Sequence, residues 1–112
     1  MKPHFCLYAA NLKSEDCIQS ANLFSELFQL KIVKARKEHS ELLTEDGLYL
    51  IFSKPSKHCK IEPGSITFLL NGIELESLQL SSLMLESCDF ERGYSSYLDN
   101  YQNRIWILKK TS

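Results

Sequence analysis

Apolar residues recur with a period of two at the start of the chain, then switch within about ten residues to a period near 3.6. Over HFCLYAANLKSEDCIQSANLFSELFQL, residues 4–30, His4, Cys6 and Tyr8 alternate with Phe5, Leu7 and Ala9. This predicts a strand whose two faces differ in kind. A turn at Asn11-Leu12-Lys13 follows, with Ser14 as helix N-cap and Glu15 and Asp16 favouring the positive end of the helix dipole. Cys17, Ala21, Phe24 and Phe28 form an apolar stripe with Ile18 and Leu27 beside it, able to cover the Phe5, Leu7, Ala9 face. The face with a histidine, a thiol and a phenol is then left to line something else.

Lys31 to Arg36 and Ser40 to Thr44 read as a hairpin, with Lys37, Glu38 and His39 as a polar bend. Glu45-Asp46-Gly47 signals a turn into a strand at Leu48 to Ser53, with Leu48, Leu50 and Phe52 on one face. The segment SKPSKHCKIEP, with two prolines, reads as an exposed connector. Ser65 to Leu70 alternates again and stops at Asn71-Gly72. Residues 73–86 predict a second helix through Leu75, Leu78, Ser82 and Leu85, although Leu80 and Leu83 blur its face. One or two strands follow between Cys88 and Leu98, and a last strand runs from Arg104 to Leu108. The chain thus repeats one plan, strand, helix, strands, over residues of about 1–61 and about 62–112.

Composition narrows the function classes. The 112 residues suit one domain with a substantial core. Thirteen basic and fourteen acidic side chains nearly cancel, which gives no electrostatic case for nucleic acid. The longest apolar runs are strand length, far short of the ~20 residues of a membrane span. The four cysteines show no C-x-x-C spacing, and with no apolar leader at Met-Lys-Pro-His the expectation is a reduced, cytoplasmic protein. His58-Cys59 has no visible third group and reads as loop chemistry.

The strand, N-L turn and helix ending SANLFSELFQLKIV resemble the opening of the glyoxalase, bleomycin-resistance and dioxygenase group, the vicinal oxygen chelate superfamily. Leu23-Phe24 stands at the family's aromatic pair and Phe28-Gln29 at its Leu-Gly. Near the C-terminus YLDNYQNRIWIL is similar to the family's strand, Asp-Pro-Asp-Gly-Asn turn and strand, with Asp99 and Asn103 in the first and last turn positions. The resemblance implies an α+β fold in which two βαβββ units form a cupped mixed sheet with helices on its convex side. Its concave side would carry His4, Cys6, Tyr8, Leu50, Phe52, Ser65, Thr67 and Trp106 as ligand-binding residues, with Leu48, Leu69 and Leu108 beside them. Metal-dependent members place a histidine at the start of each unit's first strand and a carboxylate in its last. Here those places would fall to His4, Leu50, Ser65 and Trp106, so no metal and no other cofactor is expected.

Tyr8, Phe52 and Trp106 admit two readings, core aromatics or the stacking walls of a pocket. The resemblance favours a metal-free binding protein of the bleomycin-resistance type, holding a planar or cationic small molecule among aromatics. The alternative is a lyase, isomerase or dioxygenase of the same superfamily with an atypical or absent metal site, such as an acid-base pair of His4 and Tyr8. A third reading is a fold used only for protein association. A homodimer is expected in each case, because sheet edges would otherwise stay open.

Overall fold

The computed structural model describes residues 3–110. In chain order the elements are β1 (Ala9–Lys13), α1 (Cys17–Phe28), β2 (Lys31–Arg36), β3 (His39–Leu43), β4 (Tyr49–Ser53), β5 (Ser65–Leu70), a 3-10 turn (Leu75–Ser77), β6 (Met84–Asp89), β7 (Tyr94–Leu98) and β8 (Arg104–Lys109). They fall into two compact units, Met1–Ile61 and Glu62–Ser112.

In the first unit the strands lie in the order β1-β4-β3-β2, with β1 parallel to β4 and the other pairs antiparallel. The helix is capped by Asp16, whose carboxylate accepts from the Gln19 amide at 3.2 Å. Ser14, the cap expected from sequence, is instead buried, accepting from the Asp16 amide and sharing a 2.7 Å hydrogen bond with the Ser20 hydroxyl. The predicted stripe holds: Cys17, Ala21 and Phe24 are fully buried. Phe24 meets Phe52 edge-on at 4.8 Å, so the sheet face beneath the helix is the one carrying Phe52, Leu50, Leu12 and Leu42. Each such side chain removed from water contributes about 1.5–3 kcal/mol.

Two expectations are corrected here. The first strand begins at Ala9 rather than His4, and Phe5 and Leu7 are 87% and 83% exposed rather than covered by the helix. A strand forms where a partner completes its backbone hydrogen bonds, and of the N-terminal segment it is Ala9 to Lys13 that β4 pairs with. With the strand moved on, Leu12 supplies the buried apolar contact.

The second unit has the order β5-β8-β7-β6, with β5 parallel to β8. The helix predicted over 73–86 does not form; one 3-10 turn and β6 occupy that stretch. Leu75, Leu80 and Leu83 are its buried residues, and their spacing fits no single helical face. Met84 to Asp89 pairs with β7 to complete the sheet, and this hairpin pairing outweighs a weak local helix preference. Lys109 bonds Glu74, which ties the connecting segment to the face shared by Ile105 and Ile107, both buried. Arg104, Trp106 and Leu108 take the other face.

The internal repeat extends to backbone detail. In the turn before β4, the Thr44 amide donates to the Leu48 carbonyl, and the Thr44 hydroxyl accepts from the Leu48 amide. In the turn before β8, the Asp99 amide donates to the Asn103 carbonyl, and the Asp99 carboxylate accepts from the Asn103 amide. Gly47 at φ 85° and Gln102 at φ 71° hold the same left-handed place. Each unit's outer antiparallel strand is irregular at the same point, between Ile32 and Lys34 in β2 and between Leu85 and Ser87 in β6.

Candidate functional site

Register builds the site in the second unit. Thr67 of β5 and Ser96 of β7 both pair with Trp106 of β8, which places the indole mid-sheet between two hydroxyl residues. Ser65, Leu69, Arg104 and Leu108 share this face by alternation. Trp106 is half-buried, and the Tyr94 ring meets it at 5.8 Å with an interplanar angle of 62°. Leu69 and Leu108 remain 53% and 44% exposed, so the face is apolar and open around its aromatics.

Charge on this face is internally matched. Arg104 grips Glu86 through Nε at 2.7 Å and Nη2 at 2.8 Å, a bidentate fork, and the Ser96 hydroxyl donates to the same carboxylate at 3.1 Å. The hydrogen bonds from Arg104 and then Ser96 hold the Glu86 carboxyl below its usual range, and Glu86 in turn raises Arg104. The Ser87 hydroxyl completes the cluster on Ser96 at 2.7 Å. Glu86 is thus ionised and occupied. The face offers aromatic surface, hydroxyls and a fixed, neutralised ion pair.

The helix-free face of the first unit is more polar. His39 bonds the Glu41 carboxylate through Nε2 at 2.7 Å, and its Nδ1 lies 3.4 Å from the Ser53 hydroxyl. The hydrogen bond from His39 lowers the Glu41 carboxyl. Tyr8 and Tyr49 stack at 4.9 Å. The sequence reading missed His39 and Glu41 by placing His39 in a bend. Their i, i+2 spacing beside a strand was the available signal, since that spacing puts both side chains on one face.

Of the residues expected to share a concave face, Ser65, Thr67 and Trp106 do lie together on one sheet face, with Leu69 and Leu108. Leu50 and Phe52 lie elsewhere: they are 4% and 0% exposed, on the face beneath α1, which corrects their assignment to a ligand wall. Leu48 lies in the turn before β4. His4, Cys6 and Tyr8 precede β1 and are exposed, with the Cys6 thiol 3.9 Å from His4 Nδ1. Tyr8 touches Tyr49, and among the described residues no hydrogen bond joins it to His4.

These elements make a glyoxalase/bleomycin resistance-like fold. The chain is similar to a lactoylglutathione lyase from Agrobacterium tumefaciens, with a TM-score of 0.72 and 14% identity over 96% of each chain. A possible glyoxalase from Bacillus cereus gives a TM-score of 0.70 and 14% identity over 94% of this chain and 99% of that one. The fosfomycin resistance protein FosX from Listeria monocytogenes, solved with Mn(II) and sulfate, gives 0.69 and 11% identity over 99% and 93%. No family model and no curated protein matches the sequence.

The metal that metal-dependent members of this fold carry does not fit the residues present. The first strands begin with Ala9 and Ser65, and neither β4 nor β8 contains a carboxylate. Among the described residues no three His, Cys, Asp or Glu side chains gather as a metal-binding group. Alanine offers no donor and a neutral serine is a poor one for a catalytic divalent ion.

Proposed function

We propose that the protein is a metal-free binding protein that holds a small planar or cationic molecule on the open face of its second unit. The observation that carries this reading is Trp106: a half-buried indole flanked in register by Thr67 and Ser96, with Tyr94 edge-on to it and exposed leucines around it. An indole face gives stacking and cation–π attraction, and the neighbouring hydroxyls give orientation. The donor set described above supports binding without a metal, since the strand positions that would ligate one carry no suitable donor.

Assembly and location follow as parts of the same proposal. A homodimer is supported by the exposed apolar residues Phe5, Leu7 and Met84. A reducing, cytoplasmic setting is supported by four cysteines that are all free. No helix among the described residues is long and apolar enough to cross a membrane.

The test is a screen of planar aromatic and aromatic-cation compounds read by Trp106 emission and melting temperature. Binders should quench the single tryptophan, and Trp106→Ala should weaken them by about 1 kcal/mol or more. Silence from the whole screen, or near-stoichiometric Zn, Ni, Fe or Mn with chelator-sensitive stability, would overturn the reading.

A further inference from the structure

Outside the Trp106 face, the first unit carries a hydrogen-bonded chain of a nucleophile, a base and a carboxylate beside a cavity. Ser53 sits at the end of β4 and His39 at the start of β3, and register pairs the two directly. Glu41 lies two residues along β3, on the same side as His39. The cavity, of about 390 Å³, is lined by His39, Ser53, Lys54 and Cys59 among others. It lies wholly within residues of the first unit.

The bonds fix which ring nitrogen is available. Glu41 is ionised and can only accept, so His39 Nε2 carries the proton at their 2.7 Å contact. Nδ1 is then a bare acceptor facing the Ser53 hydroxyl at 3.4 Å. This is the polarity of a serine, histidine and acid triad with the two ring nitrogens exchanged. The long serine contact is of the kind that tightens when a substrate packs over it. Ser53 is 7% exposed and Glu41 is half-buried, whereas the His39 side chain is 40% exposed, so the ring is the group most open to solvent. Glu38 and Lys54 place one charge of each sign on the cavity lining, which favours an uncharged occupant. Lys34 adds a favourable charge near Glu41.

We propose that Ser53, His39 and Glu41 form an acyl-transfer site for small uncharged esters. Ser53 Oγ bonds to the acyl carbon while its proton passes to His39 Nδ1, with Glu41 holding the imidazolium through Nε2. The bond from acyl carbon to leaving oxygen then breaks, and the alcohol departs with the proton from Nδ1. Water attacks the acyl-Ser53 ester, returns a proton through His39, and releases the carboxylic acid and free Ser53. The balance is ester plus water to acid plus alcohol, with no oxidant or reductant. Ser53 and His39 are the catalytic residues, and Glu41 is a positioning residue.

A fluorophosphonate probe tests the assignment on the intact protein, with peptide mass spectrometry to locate the adduct and p-nitrophenyl acetate hydrolysis as the rate assay. The expected result is one phosphonyl group on Ser53, absent in Ser53→Ala and slowed at least about tenfold in His39→Ala and Glu41→Gln. Cys88→Ala, an exposed thiol of the second unit, should label like the parent. Nitrogen chemical shifts of His39 should show the Nε2-protonated tautomer, and Glu41→Ala should lose that bias while circular dichroism stays native. If a variant fails to fold, the parent labelling site and the His39 tautomer still decide the matter. No adduct at millimolar probe, an adduct on another residue, or equal labelling of Ser53→Ala would overturn the proposal.

Discussion

Asn103→Ala tests how the second unit sets the register of its candidate face. The side chain is fully buried: its Nδ2 donates to Asp99 Oδ2 at 2.8 Å, and its Oδ1 accepts from the Gly64 amide at 2.9 Å. Gly64 precedes β5 and Asn103 precedes β8, so one amide pins the paired starts, Ser65 opposite Arg104, from which Thr67 meets Trp106. Truncation removes a hydrogen bond to a charged group, about 1.5–3 kcal/mol, and orphans the Gly64 donor, about 1–3 kcal/mol. The two losses share one side chain and are not fully additive, so a fall of about 2–5 kcal/mol is expected, a large share of the 5–15 kcal/mol typical of a domain. Urea unfolding followed by Trp106 emission and far-ultraviolet circular dichroism measures it, with m unchanged. Asn100→Ala, exposed in the same turn, should stay within about 0.5 kcal/mol. A loss under about 1 kcal/mol for Asn103→Ala, at constant m, would refute the reasoning.

Other outcomes can be checked by the same methods. Phe52→Ala should cost about 3–5 kcal/mol in urea, because the ring is fully buried against Phe24; a stable variant with weakened ligand binding would return Phe52 to a pocket wall. Gln102→Gly should stabilise by about 0.5–1 kcal/mol, since a side chain at φ 71° is strained where Gly47 serves in the other unit. The Glu86 carboxyl is lowered in the folded state, so its contribution is present above the ordinary value of 4.5 and is lost as pH falls through the depressed folded value. Melting temperature against pH should therefore decline less steeply below 4.5 in Glu86→Gln, while its plateau at neutral pH drops.

The strands that alternate and end on turn signals were legible: β2 and β5 match their predicted bounds, and β8 differs by one residue. The α1 stripe was legible because Cys17, Ala21 and Phe24 fit one helical face. What sequence did not carry was which neighbours a segment would find. The His4 to Ala9 alternation is real, yet β4 pairs further along. The leucines of 73–86 suggested a helix, yet Met84 to Asp89 has β7 to pair with. Alternation assigned Leu50 and Phe52 to one face correctly, but the side covered by α1 depends on β1, whose placement was wrong. For the candidate site, Ser65, Thr67 and Trp106 were legible because β5 and β8 were. His39, Glu41 and Ser53 were not, because only the β3–β4 pairing brings the serine to the imidazole.

The matching irregularities in β2 and β6 make the two margins of each sheet unequal. An extra residue, Val33 or Glu86, twists the outer antiparallel strand away from a flush ladder, which discourages any added strand there. The opposite margins, β1 and β5, keep unbroken register with their parallel partners. Growth of either sheet by another polypeptide is therefore obstructed at β2 and β6. By the same geometry, deleting Val33 would leave Ile32 and Ala35 on their present side, making this a point where chain length can change without turning the strand over.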